Sequence, residues 1–229
     1  HAAVQLAGAA VRGPGWFARG DPFEVYSTMI ARLCPFARRD GRAVLRNPLV
    51  ATAPVPPGAA AFVAVWWGST VVDSTSSSTA WGALVQRVGG PVLLGPTLLG
   101  TVLLVLVCAA VAGSIALVTR SGDMTPALVP VAVGYTVAHY FSLLVVEGQR
   151  GLLLAVGSTV EPWRPAPAAV AAVQVAAVLL GHVAGVVAAH DRALVTTPAA
   201  GPARPADELP LVLLMVGYTL VGLTLLFAA

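Results

Sequence analysis

The stretch that decides the fold is residues 167–190, which read PAAVAAVQVAAVLLGHVAGVVAAH and contain no Asp, Glu, Lys or Arg. A second stretch, residues 126–147, reads PALVPVAVGYTVAHYFSLLVVE and carries an acidic residue only at its end. About 20 apolar residues in a helix rise ~30 Å, the thickness of the hydrocarbon core of a bilayer. Both stretches are therefore predicted to be transmembrane helices.

The composition of the whole chain agrees with this prediction. Of the 229 residues, 57% are hydrophobic and only 10% are charged, whereas a soluble domain carries about 25% charged residues. We therefore expect an all-α fold, a polytopic transmembrane helix bundle. About five spans are predicted, at residues 55–72, 91–118, 126–147, 167–190 and 209–228.

The first 50 residues form a separate, more polar segment. Asp21 is a suitable N-cap, Pro22 suits the first helical position, and Glu24 stands three residues after the cap. These signals predict an amphipathic helix over about residues 22–33, of the kind that lies in the membrane interface.

A short turn or hairpin is predicted after that helix. Asp40 and Gly41 favour a tight turn between two short arms within residues 36–46. The chain is thus expected to divide into a juxtamembrane segment, residues 1–50, and a transmembrane bundle, residues 51–229.

The arginines predict an orientation in the membrane. Ten of the thirteen lie on one side of the predicted spans, and this side is expected to be cytoplasmic. The protein would then be a multi-pass protein of the plasma membrane, with residues 13–50 in the cytoplasm and the C-terminus outside. Topology and attraction to anionic lipid explain the arginine cluster, so we expect membrane lipid and no nucleic acid as a partner. His1 at the start and the apolar residues after it suggest that N-terminal spans of the same protein precede this chain.

The strongest candidates for a functional site are His139 and His182, which lie within apolar stretches. Ionisable groups are costly inside a bilayer and mark functional sites. Neutral imidazoles are common ligands of a divalent metal such as zinc, which can activate water for hydrolysis. Asp73 or Glu147 would serve as an additional ligand or as a catalytic base.

Other interpretations of these histidines stay open. Each could bond across helices in a structural role, bind haem as an axial ligand, or relay protons. Gly181 and Gly185 form a GxxxG pattern beside His182, which predicts that this residue faces a neighbouring helix. The serine-rich run after Asp73 is expected to be a loop, and the lack of a GxSxG pattern speaks against a serine hydrolase.

Three further polar residues are candidates for the site, Gln149, His190 and Asp191. Gln149 would line an outward-facing pocket with Asp73 and Glu147. His190 stands near the end of its predicted helix, where the helix dipole already favours a cation.

Four segments carry a resemblance to a known family. They are GDPFEVYSTMIARLCPFARRDGRAVLRNPL, VAHYFSLLVVEGQ, GHVAGVVAAHDRALV and LMVGYTLVGLTLL. They resemble a family of actinobacterial multi-pass membrane proteins labelled "fenitrothion hydrolase", whose members are longer and have further spans before this part. The resemblance covers nearly all of the chain after about residue 15 and implies phosphotriester hydrolysis in the membrane. Carried over by position, it points to the polar residues Asp73, His139, Gln149, His182, His190 and Asp191.

The leading functional hypothesis is a membrane-embedded, metal-dependent hydrolase, of the organophosphate-ester type by resemblance only. One alternative is a transporter or structural membrane subunit whose polar residues line a pathway or pack helices. Another is a haem-binding membrane electron carrier. The sequence leaves open whether the protein is an enzyme.

Overall fold

A computed structural model describes residues 1–49, 58–89, 95–118, 125–196 and 205–228, and it is about 81% helical. The chain divides into two compact units, His1–Val50 and Ala51–Ala229. This boundary coincides with the one drawn from the sequence, while the cytoplasmic placement of the first unit stays a prediction.

The first unit combines short helices with one hairpin. Its elements are α1 (Ala2–Arg12), a 3₁₀ turn (Pro14–Trp16), α2 (Phe17–Gly20), α3 (Pro22–Ala31), β1 (Phe36–Arg39) and β2 (Arg42–Leu45). Gln5 is buried and ties the helices together. Its side-chain oxygen accepts from Trp16 Nε1 at 2.8 Å, and its nitrogen donates to the Gly20 carbonyl at 3.2 Å.

The start of α3 follows the predicted capping signals. The Asp21 carboxylate accepts a hydrogen bond from the Phe23 backbone N–H at 2.9 Å, and Pro22 takes the first helical position. The helix expected over about residues 22–33 ends at Ala31.

The strands β1 and β2 pair antiparallel, with Phe36 opposite Leu45. Asp40 and Gly41 connect them with φ angles of 53° and 78°, the left-handed conformation that a tight hairpin turn requires. Just after β2, the Arg46 guanidinium donates to the carbonyls of Ala31, Arg32 and Cys34, so the hairpin also closes the C-terminal end of α3.

The second unit is built from helices. They are α4 (Ala59–Ser76), α5 (Thr79–Val88), α6 (Gly95–Val118), α7 (Thr125–Ala155), α8 (Pro167–Thr196) and α9 (Pro205–Ala228). The expectation of a loop directly after Asp73 is wrong, because α4 continues to Ser76. Hydroxyl groups there donate to carbonyls three or four residues earlier, as Ser74 does to Thr70, so these side chains are satisfied within a helix.

Among the described residues, three helical segments are long and apolar enough to cross a membrane. They are Gly95–Leu117, Thr125–Ala155 and Pro167–Arg192, and Val212–Thr224 is a shorter apolar segment. The chain is thus a helical membrane protein, but the predicted count of about five spans is not confirmed. The first residues of two predicted spans, 55–57 and 91–94, lie outside the described residues.

The core of the bundle surrounds α4 and α7. Trp67 is 1% exposed and packs against the rings of Tyr135 and Tyr218, at centroid distances of 5.6 and 4.3 Å. The outward side chains of α6, α8 and α9 are largely Leu and Val, and many of them are exposed. Such an apolar exterior suits contact with lipid.

Helices α7 and α8 approach each other through glycines. A Cβ atom added at Gly181 would lie 2.8 Å from the Pro130 carbonyl oxygen, and one at Gly185 would lie 2.8 Å from that of Ala127. The close-packing face predicted from the GxxxG pattern is therefore confirmed, and His182 beside it is buried.

Candidate functional site

His139 lies near the middle of α7, fourteen residues after its start at Thr125. At 1.5 Å per residue this is ~21 Å along a helix of ~46 Å. Helix α4 packs alongside α7, and a hydrogen bond of 2.9 Å joins Trp66 Nε1 to Thr136 Oγ1 across the two helices. This seam places the polar end of α4 beside His139.

Each ring nitrogen of His139 has one polar neighbour on α4. Nε2 lies 2.8 Å from Asp73 Oδ2, and Nδ1 lies 3.0 Å from Ser74 Oγ. Asp73 and Ser74 are consecutive, so their side chains leave the helix about 100° apart. The imidazole ring spans the space between the carboxylate and the hydroxyl.

These hydrogen bonds can be satisfied with His139 neutral or protonated. A carboxylate only accepts, so Nε2 donates its proton to Asp73 in both states. In the neutral ring, Nδ1 accepts from the Ser74 hydroxyl. In the protonated ring, Nδ1–H donates to Ser74 Oγ, and the hydroxyl turns to the Thr70 carbonyl at 3.1 Å. His139 can therefore gain a proton without losing a partner.

Tyr140 completes the cluster from the next position of α7. Its hydroxyl donates to the same carboxylate oxygen of Asp73 at 3.0 Å, and its ring stands edge-on to the His139 ring, 4.6 Å between centroids. The side chain of His139 is 20% exposed, whereas that of Asp73 is 51% exposed. The carboxylate thus lies at the accessible side of the cluster and the imidazole behind it.

Ser74 lines a small cavity of about 20 Å³. Its wall includes Ser74, His139, Tyr135, Val178 and Gly222. A cavity needs roughly 10–15 Å³ to hold one water molecule. This space is therefore large enough for one water beside the Ser74–His139 pair.

Tyr135 connects this cavity with His182 on α8. The two rings stand edge to face, 5.8 Å between centroids, and the Tyr135 hydroxyl donates to the Tyr218 carbonyl. His182 Nδ1 donates to the Val178 carbonyl at 2.8 Å, whereas its buried Nε2 has no partner among the described residues. His182 is therefore a buried side chain with a free acceptor nitrogen.

The two histidines share no hydrogen-bond partner among the described residues. His139 bonds to α4, and His182 bonds to its own helix. In the part of the chain that the structure describes, no three His, Cys, Asp or Glu side chains are grouped to hold a metal ion. A metal site on His139 and His182 stays a prediction.

Glu147 and Gln149 make contacts away from the His139 cluster. Glu147 forms an ion pair at 3.1 Å with Arg150, three residues further along α7, and both side chains are about half exposed. Gln149 donates to the carbonyls of Val145 and Trp163, so it holds the chain after α7 against the end of that helix.

His190 and Asp191 lie near the end of α8. Their side chains approach to 4.0 Å and are 63% and 41% exposed. The contact is a local one between consecutive residues on the helix surface.

The sequence interpretation missed Ser74 and Tyr140 as members of the cluster. Ser74 was placed in a loop, although its hydroxyl can bond within a helix at i−4. Tyr140 directly follows His139, and that adjacency was the one available signal. The contact between His139 and Asp73 spans 66 positions, and the sequence contains no motif that indicates it.

Comparisons with known proteins add no assignment, because no family model, curated protein or solved structure matches the chain.

Proposed function

We propose that the chain is a membrane-embedded hydrolase that cleaves ester bonds, with Ser74 as nucleophile and His139 as general base. Asp73 would hold the imidazole with Nδ1 facing the hydroxyl. The observation that carries this proposal is the position of His139 between a carboxylate at 2.8 Å and a hydroxyl at 3.0 Å. Nucleophile, base and orienting acid within hydrogen-bond reach are the general signature of an activated serine.

The proposed reaction has two steps. Ser74 Oγ attacks the ester centre and its proton passes to His139 Nδ1. The new bond to Oγ forms as the bond to the leaving group breaks, and the protonated ring gives its proton to the departing oxygen. Water then attacks the Ser74 ester, and His139 takes a proton from that water. The bond to Ser74 Oγ breaks, and His139 returns the proton to Oγ. The cavity beside Ser74 and His139 would admit this water.

This mechanism assigns Asp73 and His139 different roles from those of the metal hypothesis. In that hypothesis His139 offers a free nitrogen to zinc, but both of its nitrogens have protein partners. The serine route keeps both partners of His139, with the Ser74 hydroxyl hydrogen directed to Nδ1 instead of to the Thr70 carbonyl. The substrate class rests on the family resemblance, which implies phosphotriesters such as an aryl dialkyl phosphate.

The test is turnover of two chromogenic substrates, a p-nitrophenyl ester and a p-nitrophenyl phosphotriester, by the full chain in lipid nanodiscs. We expect Ser74→Ala and His139→Ala to lower kcat/KM by about 10²–10⁴-fold, the usual contribution of such groups. Ser76→Ala is the matched control, since it removes an exposed hydroxyl that only bonds the Asp73 carbonyl in the same helix. A fluorophosphonate probe should label Ser74 in the parent chain and leave the Ser74→Ala variant unlabelled.

Two outcomes would contradict the serine mechanism. If neither substrate is turned over and no probe adduct forms, the hydrolase proposal is wrong. If turnover persists in Ser74→Ala but depends on stoichiometric zinc that is lost with His139→Ala or His182→Ala, the metal hypothesis replaces it. Circular dichroism of each variant separates these results from loss of fold.

Proton-coupled transport is the second candidate. His139 can gain a proton without losing a partner, and Tyr135, which lines the same cavity, contacts the ring of His182, whose Nε2 has no partner among the described residues. A pH-sensitive dye trapped in proteoliposomes would detect proton flux. Flux that is lost in His139→Asn and retained in Ser74→Ala would favour transport, and its absence in the parent chain would exclude it.

The location of the protein is proposed from its apolar helices and the distribution of its arginines. Three helices that can span a membrane support a membrane-embedded protein. The apolar stretches support about five spans, the arginine distribution supports a cytoplasmic segment 13–50, and the plasma membrane is the proposed location. Cysteine accessibility at Cys34 in intact cells would test the side of the membrane.

A further inference from the structure

The positive charge of the chain is concentrated in its first unit. Residues 1–50 contain seven arginines and three carboxylates, a net charge of +4, whereas the whole chain carries +3. The remaining residues, 51–229, therefore carry a net charge of −1. The excess of positive charge belongs entirely to the unit that contains the hairpin.

Within the hairpin, the arginines have no acidic partner among the described residues. No carboxylate in the described part of the chain pairs with Arg38, Arg39 or Arg42. Asp40 is the only acidic residue of the hairpin, and it lies in the turn. The hairpin therefore presents a cationic surface.

One face of the hairpin is also apolar and uncovered. Side chains alternate along a strand, and cross-strand partners share a face. Phe36, Arg38, Ala43 and Leu45 consequently lie on one face, and all four are exposed, with Phe36 at 68% and Leu45 at 77%. The opposite face has the more covered Ala37 and Val44. The largest apolar pair of the hairpin thus points away from its own unit.

We propose that this face, called here the hairpin face and made of Phe36, Arg38, Ala43 and Leu45, docks on an anionic lipid surface. Apolar side chains beside cations match the acyl boundary and the phosphate layer of a bilayer. Arginine attracts anionic headgroups, and its aliphatic stem lies along apolar surface while its guanidinium reaches the polar layer. The same chain has helices able to span a membrane, so a lipid surface is always near.

The test uses the full chain and a fluorophore on Cys34, which is exposed and stands two residues before Phe36. Cys108→Ala removes the second thiol. The labelled protein is reconstituted in phosphatidylcholine alone or with about 30 mol% phosphatidylserine, which supplies the anionic surface. Quenching of the fluorophore by brominated phosphatidylcholine measures the fraction of hairpins docked on the bilayer.

We expect strong quenching in the anionic bilayers and weak quenching in the neutral ones. Quenching should fall when salt rises from ~0.1 to ~0.5 M, as screening shortens the Debye length. Arg38→Gln should lower the docked-to-undocked ratio about fivefold, equivalent to the ~1 kcal/mol per basic residue expected at such a surface. Phe36→Ala should lower quenching at every salt concentration. The matched control is Arg87→Gln, which removes the same charge from an exposed position in the second unit and should change nothing.

The proposal is overturned if quenching is equal in neutral and anionic bilayers and insensitive to salt. It is also overturned if Arg87→Gln acts as strongly as Arg38→Gln, since net charge and not the hairpin face would then be responsible. A fluorophore equally shielded in lipid-free detergent would mean that protein covers the face. The lipid and salt comparisons use the unmutated hairpin, so they decide the matter even if a hairpin variant misfolds.

Discussion

Replacing Gly134 with Ala tests whether the packing of α7 on α8 requires the close approach of their backbones. A Cβ atom at this position would lie 2.6 Å from the Ala177 carbonyl oxygen and 3.1 Å from Gly181 Cα. Both neighbours are backbone atoms of α8, so no side chain can rotate to make room. The matched control on the same helix is Gly151→Ala, where the new Cβ has no neighbour within 4 Å.

The distances set the size of the effect. Carbon–oxygen contacts between packed helices settle near 3.3–3.6 Å, so the helices must separate by at least ~0.7 Å. Overpacking of this kind costs about 1–3 kcal/mol. Alanine recovers up to ~1 kcal/mol of intrinsic helix propensity. Gly134→Ala should therefore lower the free energy of unfolding by up to about 2 kcal/mol, whereas Gly151→Ala should raise it by up to ~1 kcal/mol.

The assay is unfolding in mixed micelles by titration with sodium dodecyl sulfate, followed by tryptophan fluorescence. Trp67 in the bundle core supplies a signal that depends on tertiary packing. The essential result is the opposite sign of the two changes. Stabilisation by both substitutions to the same extent would refute the close approach of α7 and α8.

Further substitutions probe other single contacts. Asp21→Ala removes the N-cap of α3 and should lower the free energy of local unfolding by about 1 kcal/mol, measured as faster hydrogen exchange of the α3 amides. Arg46→Ala releases carbonyls at the other end of α3 and should speed exchange in its last turn, with no change in the bundle. Trp66→Phe deletes the hydrogen bond to Thr136 and should cost about 1 kcal/mol in the detergent titration; no change would mean that the contact contributes nothing. Chelation of divalent metals should leave ester turnover intact under the serine mechanism. Loss of turnover on chelation would support the metal hypothesis instead.

Local features of the chain were predictable because they depend on neighbouring residues. Asp21 and Pro22 set the start of α3, because Asp21 is its N-cap and Pro22 suits the first helical position. The turn at Asp40 and Gly41 requires left-handed backbone, which these two residue types tolerate. The apolar stretches around His139 and His182 form long helices because a helix satisfies its own backbone in an apolar environment.

The prediction of a loop after Asp73 is wrong because serine and aspartate side chains can bond the backbone in two ways. Serine and aspartate favour helix ends in water, because their side chains compete for backbone hydrogen bonds. In α4 the hydroxyl of Ser74 instead bonds the Thr70 carbonyl one turn earlier, so the helix passes through the polar residues. Composition alone does not distinguish these two uses of the same hydroxyl.

The candidate site lay beyond prediction because it depends on how the helices are rotated against each other. A helix that is apolar around its whole circumference has no polar face to reveal which side meets which neighbour. Asp73 and His139 were both candidates, but their pairing depends on which face of α4 meets α7. The same holds for Glu147, whose partner is Arg150 and not the histidine cluster.

The sequence by itself determined the helical membrane class, the capped helix and hairpin of the first unit, and the glycine face beside His182. Each of these follows from backbone hydrogen bonding, apolar length or local spacing. Only the tertiary structure decided that His139 meets Asp73 and Ser74, while Nε2 of His182 has no partner among the described residues. Which residues each histidine contacts depends on how the packed helices are rotated and shifted against each other. This arrangement is stabilised by contacts between residues that are far apart in the chain.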